Sequence, residues 1–100
     1  MAKRIIWSQS ASEDKINIFT YWNKRNKSKE YSIKLNKMFN AAINLLYIHS
    51  NIGKQTDFRD IRYLIVRHYN IYYRELEDCF RILAVWDARQ DPSKLIERLK

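Results

Sequence analysis

The run from Ile61 to Asp91, closed by Pro92, constrains this chain more than any other stretch. It reads IRYLIVR, HYNIYYREL, a polar ED pair, and CFRILAVWDARQDP. Arg62, Leu64 and Val66 alternate with Ile61, Tyr63 and Ile65, the period of a strand with two distinct faces. Val, Ile and Tyr fill the segments, while Glu77 and Asp78 interrupt them as a turn. A three-stranded antiparallel meander is the simplest reading. The residues before it must then cover one face of that sheet.

Those residues read as a strand and two helices. Lys3–Ser8 is a short strand, with Ile5, Ile6 and Trp7 behind a basic pair. Ser10 and Glu13 form a capping box for a helix over Asp14–Lys24, with Ile16 and Phe19 facing the core. The polar segment NKRNKS makes a corner. A second helix is predicted from Ser28 to His49, its stripe made by Tyr31, Leu35, Met38, Ala42, Leu45 and His49 and widened by Phe39 and Leu46. Asn51 and Gly53 end it, and Gly53, the only glycine, is expected at positive φ. Phe58 is expected under the sheet edge. After the meander, Asp91 is a good N-cap and Pro92 a good first residue for two helical turns carrying Leu95, Ile96 and Leu99. That tail either packs on its own domain or awaits a partner. The expected fold is α+β, one domain over residues 1–100: a helical hairpin packed on a small antiparallel sheet, in the order β-α-α-β-β-β with a short C-terminal helix.

A formal charge of +8 in 100 residues favours a polyanion or an acidic protein as partner, although solvated basic surface accounts for part of it. A lone cysteine, Cys79, forms no internal disulfide and reads as a small buried hydrophobe. No apolar run has signal-peptide or membrane-spanning character, so a cytoplasmic protein without membrane contact is expected. No metal-ligand spacing and no glycine-rich loop is present, so neither metal nor cofactor is expected. His49 falls on an apolar stripe and reads as a core or edge residue; His68, between Arg67 and Tyr69, stays open as a functional group. Arg59, Arg62, Arg67, Arg74, Arg81 and Arg89 are interspersed with Tyr63, Tyr69, Tyr72, Tyr73 and Trp86. Arginine suits bidentate contact with phosphate or carboxylate, and aromatics can stack on bases. Arg62, Arg67, Arg74, Arg81, Trp86 and Arg89 are therefore the candidate basic target-binding face, although strand parity does not put every one on the same side.

Taken together, the opening IIWSQSASEDKINIFTYW, the strand HYNIYYREL and the ending FRILAVWDARQDP resemble the RelE/ParE superfamily of bacterial toxins over nearly the whole chain. The sharpest matches are Tyr69-x-Ile71-x-Tyr73, the strand Ile82–Trp86 and Arg89-Gln90-Asp91-Pro92. The resemblance implies a toxin of a type II toxin–antitoxin pair, held by a small acidic antitoxin through which the pair binds operator DNA. One branch cleaves messenger RNA on the ribosome, and the other poisons DNA gyrase. For the nuclease branch the candidates are Arg62, Arg67 and Arg89 as phosphate clamps, with His68 or Tyr69 in proton transfer. Asn70 stands where that branch has arginine, and Leu95 or Trp86-Asp87 where it has an acid–base residue. The ending and the long helices look more like the ParE branch, in which the toxin acts by binding gyrase. A ribosome-dependent nuclease and a non-toxic homologue are the alternatives.

Overall fold

The computed structural model describes residues 3–99. Strand β1 (Arg4–Trp7) leads into helix α1 (Gln9–Asn26), which turns into helix α2 (Glu30–Asn44) and a 3₁₀ turn at Leu45–Tyr47. Strands β2 (Lys54–Gln55), β3 (Ile61–Val66), β4 (Tyr69–Glu75) and β5 (Cys79–Asp87) follow, and helix α3 (Pro92–Leu99) ends the described chain. The five strands form one sheet in the order β1-β5-β4-β3-β2. The expected meander is β3-β4-β5, and the α+β layout is the one read from the sequence. The sheet is mixed, however, because β1 runs parallel to β5, and β2, absent from the expectation, adds a short antiparallel edge to β3.

Helix α1 begins earlier than its expected capping box. Ser8 is the N-cap and accepts a bond from the Ala11 amide at 3.1 Å, so Ser10 and Glu13 lie inside the helix. The shift rotates the stripe: Ile16 is 61% exposed, while Ile18, Phe19 and Trp22 pack towards the core. Lys27 ends the helix in the left-handed region, at φ 52°, and its amide bonds Asn23 O. Ser32 pins the hairpin, its Oγ lying 2.6 Å from Asn23 Oδ1 and 3.1 Å from Phe19 O. Leu35, Phe39 and Ile43 recur at four-residue spacing and are buried, with Leu46 continuing the line. Helix α2 stops at Asn44, so the predicted Leu45 and His49 fall outside it and are exposed.

The sheet is buried on both faces. Towards the hairpin lie Leu64, Val66, Tyr69, Ile71, Tyr73, Phe80, Ile82 and Val85. Towards α3 lie Ile61, Tyr72 and Ala84, covered by Leu95 and Leu99, with Phe58 packed at the side as expected. A bulge between Tyr72 and Tyr73 on their β5 partners passes over Leu83, so Ile82 and Val85 both face the hairpin. Asp91 caps α3 as predicted, accepting from the Ser93 amide at 2.9 Å, and the helix packs on its own chain.

Gly53 corrects one expectation. Its φ is not positive; it is small because a tyrosine occupies the space. A Cβ there would lie 2.5 Å from Tyr73 Oη and 2.6 Å from Cε1, while the Gly53 amide donates to that oxygen at 3.0 Å and Tyr73 O–H donates to Ser50 O. Gly53→Ala is expected to destabilise the protein by about 1–3 kcal/mol, because a well-packed aromatic must move. Urea unfolding of the two proteins measures it; equal midpoints would contradict the fit.

Candidate target-binding site at one end of the sheet

The connection from β3 to β4 is the two-residue loop Arg67–His68, fixed by the pairing of Val66 with Tyr69. Such loops need positive φ, a conformation that favours glycine. Arg67 takes it at φ 58°. Both loop residues are exposed. The loop is tied to the end of β5, since the Ala88 amide donates to His68 O at 2.8 Å. Arg67, His68 and Arg89 thereby gather at one end of the sheet.

Arg89 is held rather than free. Its Nε and Nη2 reach Asp87 Oδ1 and Oδ2 at 3.1 and 3.0 Å, and its amide bonds Oδ1 at 2.9 Å. The fork leaves the side chain 61% exposed. The Arg89 hydrogen bond, helped by its charge, holds the Asp87 carboxyl below its usual range against a smaller opposing effect of burial. The guanidinium is thus presented in a fixed plane, with donors left for an outside acceptor.

Beside it, α1 and β5 enclose a cleft of about 450 Å³ lined by Asn17, Tyr21, Tyr69, Trp86, Asp87 and Arg89. Trp22 Nε1 donates to Tyr69 Oη at 2.8 Å, and Tyr69 is buried with its ring edge-on to Phe39. Burial is the main cause that raises the Tyr69 pKa, and the Asp87 charge adds to it. The phenol stays protonated at neutral pH and is fixed as a wall of the cleft. Trp86 Nε1 is buried without an acceptor among the described residues.

The remaining predicted residues lie elsewhere. Arg62 points to the hairpin side and donates to Gly53 O at 2.9 Å and Asn51 O at 3.3 Å, securing the loop before β2. Arg74 and Arg81 pair across β4 and β5 on the α3 side. The structure therefore brings together Arg67, His68, Tyr69, Trp86 and Arg89 but not Arg62, Arg74 or Arg81. The proposed nuclease set is divided as well, with Arg62 at the other end of β3. Sequence reasoning gave no site role to Tyr21 or Trp22, and named Asp87 only as standing at an acid–base position of the nuclease branch. The Asp87-x-Arg89 spacing was a readable sign of a fork; nothing local placed α1 against β5. Among the described residues no cluster of His, Cys, Asp or Glu suits a metal, and Cys79 is buried. No described helix is long and apolar enough to cross a membrane.

Two outcomes follow from this geometry. Arg67→Gly is expected to stabilise the fold by about 0.5–1 kcal/mol, relief of left-handed strain exceeding the added freedom of the unfolded chain; a lower unfolding midpoint would contradict it. Asp87, whose folded pKa is depressed below 3.8, contributes stability that is present above that value and is lost as pH falls through the folded pKa. Carboxyl NMR titration is expected to find Asp87 low in the native protein and close to its ordinary value in Arg89→Ala.

The family model for the ParE toxin of the type II toxin–antitoxin system parDE matches residues 5–92. No curated protein matches the chain. Among solved structures, the chromosomal ParDE system from P. aeruginosa is similar in fold, with a TM-score of 0.73, 16% identity, and coverage of 84% of this chain and 94% of that one. With a family model spanning most of its length, built on a hairpin over a mixed sheet, the chain belongs to the ParE toxin family of type II toxin–antitoxin systems.

Proposed function

We propose that this chain arrests growth by binding DNA gyrase, and that a small acidic antitoxin neutralises it. The observation that carries the binding mode is the end of the sheet where Arg67, His68 and Arg89 converge beside the aromatic cleft. Its parts suit contact better than cleavage. Arg89 is already forked to Asp87, Tyr69 is buried and held by Trp22, and Arg62 is committed to loop carbonyls. A nuclease would need a proton-transfer group and a phosphate clamp converging on one phosphate. A fixed, exposed guanidinium at Arg89 beside an aromatic-walled cleft instead has the character of an interface anchor. The charge of +8 would speed encounter with an acidic antitoxin or with gyrase-bound DNA.

Purified protein added to gyrase and supercoiled plasmid is expected to inhibit supercoiling or to accumulate cleaved DNA. The Arg67→Ala/Arg89→Ala double variant is expected to need about tenfold more protein for the same effect. Growth arrest in cells with unaffected gyrase and with transcripts cut inside translated frames would overturn the proposal in favour of the ribosome-dependent nuclease.

A further inference from the structure

On the face of the sheet away from the helical hairpin, three arginines stand on three adjacent strands. Arg74 of β4 is directly opposite Arg81 of β5. Ile6 of β1 is beside Arg81 and Arg4 beside Cys79, so Arg4 is the diagonal neighbour of Arg81 on the same face. Arg4 and Arg81 are exposed and Arg74 is half-buried. Among the described residues none of them has an ion pair, whereas Lys3, Arg89 and Arg98 are each paired with a carboxylate. Like charges directly opposite across a sheet destabilise it. The fold gains nothing from this row by itself.

The dimensions indicate an occupant. Neighbouring strands are about 4.8 Å apart, and residues at i and i+4 of a helix have Cβ atoms about 5–6 Å apart, a spacing from which two carboxylates can meet groups on adjacent strands. Glu77 and Asp78 sit in the turn that joins β4 to β5, two of the three arginine-bearing strands, and limit the row at that end. They oppose a long polyanion tracking across it, but they leave room for a short acidic segment. Leu76, 39% exposed, follows Arg74 at strand spacing and offers an apolar contact. We propose that Arg4, Arg74 and Arg81 dock an acidic helix of a partner protein. Carboxylates at i and i+4 bond Arg74 and Arg81, and a third reaches Arg4. This deepens the antitoxin reading above by naming a surface and the chemistry of its ligand.

The test uses the full chain and a helical alanine-based peptide with glutamates at i, i+4 and i+8, beside a peptide of the same composition with its glutamates off that face. Titration calorimetry is expected to find the first peptide tighter, and to lose about tenfold with Arg74→Gln/Arg81→Gln. The same double variant is expected to raise the thermal midpoint by about 1–4 °C, since it removes the like-charge pair. Weaker binding together with higher stability in the variant is the pattern that a purely structural role would not give. Equal affinity for both peptides, or an unchanged affinity in the double variant, would overturn the proposal. So would a single-stranded oligonucleotide that binds this row more tightly than the peptide. Neutralisation by the antitoxin that persists in the double variant would overturn the docking surface and leave the toxin reading standing. An absence of growth arrest by the unpaired chain would end the toxin reading without altering the peptide result.

Discussion

The carboxylate of Asp14 completes what β1 leaves unfinished. Strand β1 pairs with β5 only from Cys79 to Ile82, although β5 continues to Asp87. Beyond that point Ser8 donates through its amide to Ile82 O and through Oγ to Leu83 O, and Asp14 Oδ2 accepts the Val85 amide at 3.0 Å. Arg98 of α3 then grips Asp14 with two bonds, at 3.2 and 2.8 Å, and reaches Leu83 O at 3.3 Å. An open strand edge is an invitation to pair with another chain. Here it is closed by side chains, and the same ion pair ties α1 on one face to α3 on the other. The cleft beside Arg89 exists because α1 is held against β5 at this point.

That clasp also explains how a helix as short as α3 is ordered. Eight residues do not hold a helix in water. Leu95 and Leu99 bury against Ile61, Tyr72 and Ala84, and Arg98 anchors the last turn. The sheet beneath is correspondingly two-sided. Tyrosines serve both layers, Tyr69 and Tyr73 towards the hairpin and Tyr72 towards α3. Each that meets the hairpin brings a hydrogen bond with it, to Trp22 or to the loop around Gly53. A buried hydroxyl without such a partner would offset much of what the ring gains at that spot.

The large positive charge is not spread evenly over one functional face. Part of it is structural, as in Arg62 and Arg98, whose guanidinium groups close loops and edges. Part is gathered at the Arg67 loop and the Arg89 fork, and part stands on the α3 side in Arg74, Arg81 and Arg4, which form no ion pair among the described residues. These are different jobs for the same residue type, and each is decided by which strand end or face it occupies.

The sequence by itself determined the meander, since its alternation of Val, Ile and Tyr with polar positions and its Glu77-Asp78 turn are local signals. It also determined the hairpin, the Asp91-Pro92 start of α3, and the nearness of Arg67, His68 and Tyr69, which are chain neighbours. It did not determine the start of α1, because Ser8 and Ser10 are equally good caps and only the bond of Ser8 to β5 chooses between them. Nor did it determine the role of Gly53, which depends on a tyrosine twenty residues away. The division of the arginines between ends and faces came from the sheet register, and the Asn17–Tyr21 wall of the cleft came from the packing of α1 on β5. Local chemistry writes the elements; which side chains meet is settled when edges and faces without partners are closed.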